Sequence, residues 1–292
     1  MASGRDFVGP YRLVKLIRAG TSCQVWEVVK DPDPRRIALK VLLEEHKGTR
    51  AEVQQLKNEG MVGIGLEHKN VIKIFEFTDK HHLPCIVMEL FNARNLKQEL
   101  RERPENLLYH APGIIRQCGL GLNYFNEQGF VHCDIKPDNF LVNAAGEVKL
   151  IDFSIAKKIK SGISGLFAGK QSIQGTRSYM SPEQIRGKKL DQRSDIYGLG
   201  CVIFELVVGK PPFTASSPDE LLHRHLTAPP PSATVYNNRV SPDLSALIQK
   251  MLSKDLQRRP ETVKMFLEEF RTIQTYKAGL RPKNPDKDVN GY

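Results

Sequence analysis

The chain lacks an apolar run long enough to cross a bilayer. Its longest, residues 197–209, is interrupted by Glu205 and falls short of the ~20 apolar residues a spanning helix needs. No membrane segment is therefore expected, and the run reads as a buried helix. A charged start followed by an apolar stretch is also missing, so a secretory leader is not expected and a cytoplasmic location is. Cysteines are few, at 23, 85, 118, 133 and 201. Their odd number and the absence of any C-x-x-C spacing argue against a disulfide framework and against a cysteine zinc site, leaving free thiols in a reducing compartment. No internal repeat is visible, which excludes a solenoid. The formal net charge is +10, but no basic run is interleaved with aromatics. Nucleic acid is not an expected partner, although an acidic partner or a nucleotide would suit the charge. The densest basic group is Arg186, Lys188, Lys189 and Arg193.

What the chain does contain is ordinary globular usage. Its 292 residues, 40% apolar and 26% charged, suffice for one large domain or two lobes with a sizeable core. β-branched runs at 11–18, 24–29, 36–43, 71–77 and 85–90 predict strands. Residues 50–66 are helix-like, weakened by Gly60, Gly63 and Gly65. After residue 95 the periodicity turns helical, with helices expected at 107–128, 194–208, 243–252 and 260–273. Strands first and helices afterwards argue an α+β fold in two lobes. Residues 1–10 read as an extension, and the polar stretch 276–292 as a tail or linker.

Chemistry concentrates in His132-Cys133-Asp134-Ile135-Lys136-Pro137-Asp138-Asn139. Beyond a β-like run at 148–151 comes Asp152-Phe153-Ser154. One loop carries a carboxylate, a lysine and an asparagine, and a second carboxylate follows a strand. Those groups equip phosphoryl transfer: a base for a hydroxyl, a cation for the moving phosphoryl and oxygen ligands for magnesium.

The spacing resembles the catalytic and metal-binding loops of eukaryotic-type protein kinases. The resemblance covers about residues 9–275, with 11–91 as the N-lobe and 92–275 as the C-lobe of a domain at 11–275. It implies a bilobal fold, a small antiparallel β lobe with one helix beside a larger helical lobe. It also implies ATP and Mg2+ as cofactors and a protein substrate with a serine or threonine acceptor. Lys136 together with Gly175-Thr176 resembles the serine/threonine branch, bacterial-like or eukaryotic.

By that resemblance Asp134 is the catalytic base and Lys136 steadies the phosphoryl, while Asn139 and Asp152 hold the metal. Arg18, Ala19 and Gly20 form the phosphate-covering turn, in which only the middle glycine of the family's three survives. Lys40, in Ile37-Ala38-Leu39-Lys40, binds the α- and β-phosphates, and Glu59 orients it, with Glu52 as the alternative. Val25, Ala38 and Leu141 sandwich the adenine ring and Met88 backs its slot. The Glu89 carbonyl and the Phe91 N–H meet the base edge, and Asn95 holds the ribose. Glu183 is expected to pair with Arg259, and Asp195 to anchor the catalytic loop.

Departures from the family pattern accompany these matches. Cys133 replaces the arginine that commonly receives an activation-loop phosphate, and Ser154 replaces a glycine. Gly63 stands where an apolar residue usually packs on Phe153. That last change predicts a loosely docked helix and a regulatory partner to seat the helix bearing Glu59. A pseudokinase scaffold, binding nucleotide or partners without turnover, is the rival reading. The retained Lys40, Asp134, Asn139 and Asp152 oppose it.

Overall fold

The first three long strands fold into consecutive hairpins because β-branched residues alternate along them between turn-forming stretches. The structure is a computed structural model and describes residues 7–80, 83–159 and 175–284. The chain divides into two units, Met1–Asn92 with Ile151–Ala156, and Ala93–Leu150 with Lys157–Tyr292.

The first unit holds strands β1 (Phe7–Val8), β2 (Tyr11–Ala19), β3 (Cys23–Lys30) and β4 (Asp33–Leu42), then helix α1 (Arg50–Gly63), then β5 (Ile74–Thr78) and β6 (Cys85–Glu89). They form one antiparallel sheet in the order β1-β2-β3-β4-β6-β5. Tyr11, Val28, Leu39, Val41, Cys85 and Val87 pack together in a buried cluster. Successive strand residues point to opposite faces, so Ala38 and Lys40 project away from that cluster. The register sets Val25 opposite Lys40 and Ala38 opposite Met88.

Helix α1 is seated more closely than its glycines predict. A Cβ on Gly63 would lie 2.3 Å from Ile74 Cδ1 and 3.1 Å from Phe153 Cδ2, and one on Gly60 would lie 2.6 Å from Phe77 Cβ. The expectation of loose docking is therefore corrected. Bare backbone at both positions lets α1 approach β5 until larger neighbours fill the space.

The second unit contains β7 (Arg94–Asn95), α2 (Leu96–Glu102), α3 (Pro104–Glu127), β8 (Phe130–Val131), β9 (Phe140–Val142), β10 (Val148–Leu150) and β11 (Lys157–Lys158). After them come α4 (Pro182–Ile185), α5 (Gln192–Val208), α6 (Pro218–Thr227), α7 (Ala233–Tyr236), α8 (Pro242–Met251) and α9 (Val263–Arg271). Helix α5 is the apolar run expected from sequence, buried continuously from Ser194 to Val207. Asp191 caps its start, and Gly209, at φ 86°, ends it in the left-handed conformation that glycine tolerates. Helix α3 packs on both α5 and α9. Order continues past residue 275: Tyr276 is buried and its hydroxyl donates to the Leu108 carbonyl at 2.6 Å.

Tyr197 of α5 and His225 of α6 are fully buried, with the phenol oxygen 2.9 Å from His225 Nδ1. Lys254 donates to the same oxygen at 3.1 Å, so the phenol proton is directed at Nδ1 and the imidazole is neutral there. Burial, and secondly the Lys254 charge, push His225 down to about 4. The unfolded ring titrates near 6.5, so the unfolded chain binds the extra proton as the pH falls between those values. This group's stability contribution is therefore complete above the unfolded pKa and lost toward the folded one. Unfolding free energy should drop by up to about 3 kcal/mol between neutral pH and pH 4 from this ring. His225→Gln should flatten that part of the profile in denaturant titrations at several pH values. An unchanged slope would show that the ring does not titrate on unfolding.

Candidate active site

Two groups of chemically capable side chains are assembled, one in each unit. In the first, β4 delivers Lys40 and α1 delivers Glu59, with Lys40 Nζ 2.5 Å from Glu59 Oε2. Glu52 faces a different neighbour, with Oε2 2.6 Å from His46 Nδ1, and it is the Glu59 carboxylate that meets Lys40. Burial works against the Lys40 ammonium, but the charges of Glu59 and Asp152 outweigh it and hold Lys40 above its ordinary value. Burial is also the largest influence on Glu59; with Asp152 it overcomes the attraction of Lys40 and pushes the carboxyl up to about 7. The Asp152 charge acts on both groups in the same direction, whereas burial opposes the ammonium and favours the neutral carboxyl. The surplus of negative charge, two carboxylates to one ammonium, suits a divalent cation.

The turn expected to cover phosphates is tight. Gly20 N–H donates to the Cys23 carbonyl at 2.8 Å, and a Cβ on Gly20 would lie 2.9 Å from that oxygen. Arg18 and Ala19 end β2, and Arg18 pairs with Val25. Cys23 is half-buried, and burial raises its thiol, which makes it a poor nucleophile at neutral pH. Ala38 and Met88 are buried neighbours across β4 and β6. The Glu89 carboxylate accepts from the Lys73 N–H at 2.7 Å, and Phe91 lies just past β6, half-buried.

Asn58 was not singled out from sequence. Its side-chain amide donates to the carbonyls of Phe153 (3.2 Å), Ser154 (2.9 Å) and Ala156 (3.2 Å). Asp152 has φ 67°, a left-handed conformation that is strained for a residue with a side chain. The clamp fixes the backbone that follows it, including Ser154, whose N–H donates to Asp152 Oδ1 at 3.3 Å. Glu59 and Asn58 are adjacent, so α1 positions Lys40 through one and the segment after Asp152 through the other. A lone polar residue on a helix carries no sequence signal for such a role.

In the second unit the loop that carries Asp134 hangs from α5. Asp195 is buried and accepts from the N–H groups of His132 (2.8 Å) and Cys133 (2.9 Å) and from Asn126 Nδ2 (3.0 Å). These bonds hold Cys133 at φ 68°. One turn later Gly198 meets the loop's other side, where an added Cβ would lie 2.9 Å from Ile135 Cβ.

Asp134 is oriented from three directions. Its Oδ1 accepts from Thr176 N–H at 2.9 Å, while Oδ2 lies 2.5 Å from Lys136 Nζ and 3.3 Å from Asn139 Nδ2. Lys136 also donates to Thr176 Oγ1 at 2.8 Å. Asn139 gives its amide hydrogens to the Asp134 backbone carbonyl (2.8 Å) and carboxylate, which turns its side-chain oxygen away from them. Leu141 lies on β9 opposite Asn95. The Asn95 oxygen caps α2 by accepting from Gln98 N–H at 2.8 Å, so this residue is committed to a helix terminus. Arg259 grips Glu183 through two guanidinium nitrogens at 2.7 and 3.0 Å, as expected. Ser172, which with Thr176 and Ser178 offers a hydroxyl for phosphorylation in the segment before Glu183, lies outside the described residues.

Residues 11–270 match the model of the protein kinase domain. The chain is 30% identical over 289 residues to the serine/threonine-protein kinase PknA of Mycobacterium tuberculosis, covering 97% of this chain and 65% of that protein. It is 30% identical to the serine/threonine-protein kinase PrkC of Bacillus subtilis over 90% of this chain and 40% of that protein. It is likewise 30% identical to a probable serine/threonine-protein kinase of Streptomyces coelicolor, over 87% of this chain and 38% of that protein. The chain thus spans between 38% and 65% of the length of these relatives.

The Asn58 clamp predicts an order of stabilities. Asn58→Ala should lower the unfolding free energy by about 1–3 kcal/mol, because buried carbonyls lose their donor. Asn58→Asp should cost at least as much, since a carboxylate would face three carbonyl oxygens. Chemical denaturation of both variants checks this, and wild-type stability in Asn58→Asp would mean that the amide does not hold the segment.

Proposed function

The chain belongs to the protein kinase family, and from that premise we propose that it transfers the γ-phosphoryl group of ATP to serine or threonine hydroxyls of protein substrates. The observation that carries this reading is the Asp134 carboxylate, aimed by Lys136 and Asn139 of its own loop and by Thr176 from a distant segment. A carboxylate so oriented can accept a hydroxyl proton as the oxygen attacks, a contribution of about 10²–10⁴ in rate. Lys136 then steadies the transferring group. The contact between Lys136 and Thr176 supports the serine/threonine branch.

Nucleotide binding falls to the other named residues. Lys40, oriented by Glu59, would hold the α- and β-phosphates beneath the turn of Arg18, Ala19 and Gly20. Val25, Ala38 and Leu141 would enclose the adenine, with Met88 behind it, the Glu89 carbonyl and Phe91 N–H at its edge and the Asn95 amide near the ribose. Among the described residues no group of three or more His, Cys, Asp or Glu is arranged for a metal. Asp152 would offer magnesium a carboxylate and Asn139 an amide oxygen, oxygen donors of the kind this ion takes while it keeps water and phosphate oxygens as its other ligands. When bound, magnesium would neutralise phosphate charge. Among the described residues no helix is long and apolar enough to cross a membrane.

Purified protein with labelled ATP, magnesium and a generic protein acceptor tests the proposal. Wild type should transfer label, and Asp134→Asn should lose about 10²–10⁴ in rate. Lys40→Met and Asp152→Asn should abolish transfer while remaining folded. Nucleotide binding without transfer by wild type would replace the kinase with a scaffold.

A separate outcome follows from Cys133, a buried neutral thiol at the position where other kinases present a phosphate-binding arginine. Phosphate orders a loop where cations receive it. Phosphatase-treated protein should therefore keep most of its initial rate on an exogenous substrate. A collapse restored by autophosphorylation at Thr176 or Ser178 would contradict this.

A further inference from the structure

We propose that the acceptor site selects acidic peptides through Arg177, Arg186, Lys188 and Lys189, an inference that rests on the kinase reading and names its substrate class. All four side chains are exposed. Only two carboxylates lie in the stretch 175–193, Glu183 and Asp191. Glu183 is buried against Arg259, and Asp191 pairs with Arg193 at 2.7 Å. Neither is left to neutralise the four cations. Elsewhere in this unit exposed cations do find partners, as in Lys97 with Glu205, Arg224 with Glu220 and Lys250 with Glu269.

The frame carrying these charges is fastened to the base. Thr176, next to Arg177, contacts Asp134 through its N–H and Lys136 through its hydroxyl. Gln184 Nε2 donates to the Cys133 carbonyl at 2.7 Å, and Ser181 with Gln184 forms a capping box on α4. The turn after α4 is closed by Gly187 N–H on the Gln184 carbonyl (3.0 Å) and Lys188 N–H on the Glu183 carbonyl (2.9 Å). Arg186, Lys188 and Lys189 thus stand on a turn anchored beside the catalytic loop. A peptide presenting its hydroxyl to Asp134 lies in their field, and carboxylates flanking the acceptor are attracted.

Three peptides with one threonine acceptor and flanks of glutamate, glutamine or lysine test this, by steady-state kinetics and by fluorescence anisotropy of binding. KM and Kd should rise from the glutamate to the glutamine to the lysine peptide by roughly 3- to 10-fold per step, with kcat nearly constant. The spread should shrink as salt is raised from about 0.05 to about 0.5 M, because exposed charges are screened. The triple variant Arg186→Glu, Lys188→Glu, Lys189→Glu should reverse the order while keeping kcat on the glutamine peptide. Equal constants for the three wild-type peptides would overturn the proposal. So would a glutamate preference that survives the triple variant or is insensitive to salt. Single-stranded DNA bound more tightly than any of the peptides would assign the patch to nucleic acid and overturn it equally. Binding ranked glutamate first with no transfer to any peptide would instead refute the kinase reading and leave the selectivity standing.

Discussion

The catalytic loop depends on one buried carboxylate. Asp195 sits in the first turn of a helix buried along almost its whole length, and it accepts from two backbone N–H groups of the loop and from the side-chain amide of Asn126. Burial raises this carboxyl, and the three donors only partly offset that effect. Losing them would leave a buried carboxylate unpaired, which is far more expensive than an ordinary lost hydrogen bond. The loop therefore stays where Asp195 requires, with Cys133 in a left-handed conformation and Asp134 projecting from it. Gly198 on the same helix admits Ile135 to contact distance, so a single rigid element sets both sides of the loop.

Helix α1 plays the equivalent part in the first unit, through different chemistry. Two glycines bring it onto Phe77 and Ile74, and two consecutive polar residues use the resulting proximity. Glu59 meets Lys40, and Asn58 meets the carbonyls that follow Asp152. Each unit thus positions its functional groups from a packed helix and leaves the reactive atoms to short loops. A rigid scaffold is what keeps such groups oriented without reorganisation when charge moves.

The departures from the family pattern take on meaning from these neighbours. Gly63 reads in isolation as a missing contact, but Ile74 and Phe153 occupy the space it leaves. Ser154 reads as a stiffened position, and its carbonyl is one of the three that Asn58 holds. Cys133 is buried, and its backbone carries the loop's attachments to Asp195 and Gln184. In each case the residue type is legible in the sequence, whereas its consequence depends on which side chain arrives from a distant segment.

The sequence by itself determined the class of fold, the main strands and helices, the buried character of residues 197–209 and the set of groups capable of phosphoryl transfer. Those follow from local periodicity and from residue types at short spacing, which the chain carries whatever its tertiary path. Short polar elements such as α2 and α6 escaped, because their stability comes from caps and packing more than from a repeating apolar face. Tertiary structure alone decided that Glu59 and not Glu52 meets Lys40, that the Asn95 oxygen caps a helix, and that Asn58 is a clamp. It also decided that Glu183 and Asp191 are occupied by other arginines, so that among the described residues neither neutralises the four cations near Thr176. The reason is physical: partnership between charged or polar groups is settled by distance and burial, and residues far apart in the chain acquire both only when it folds.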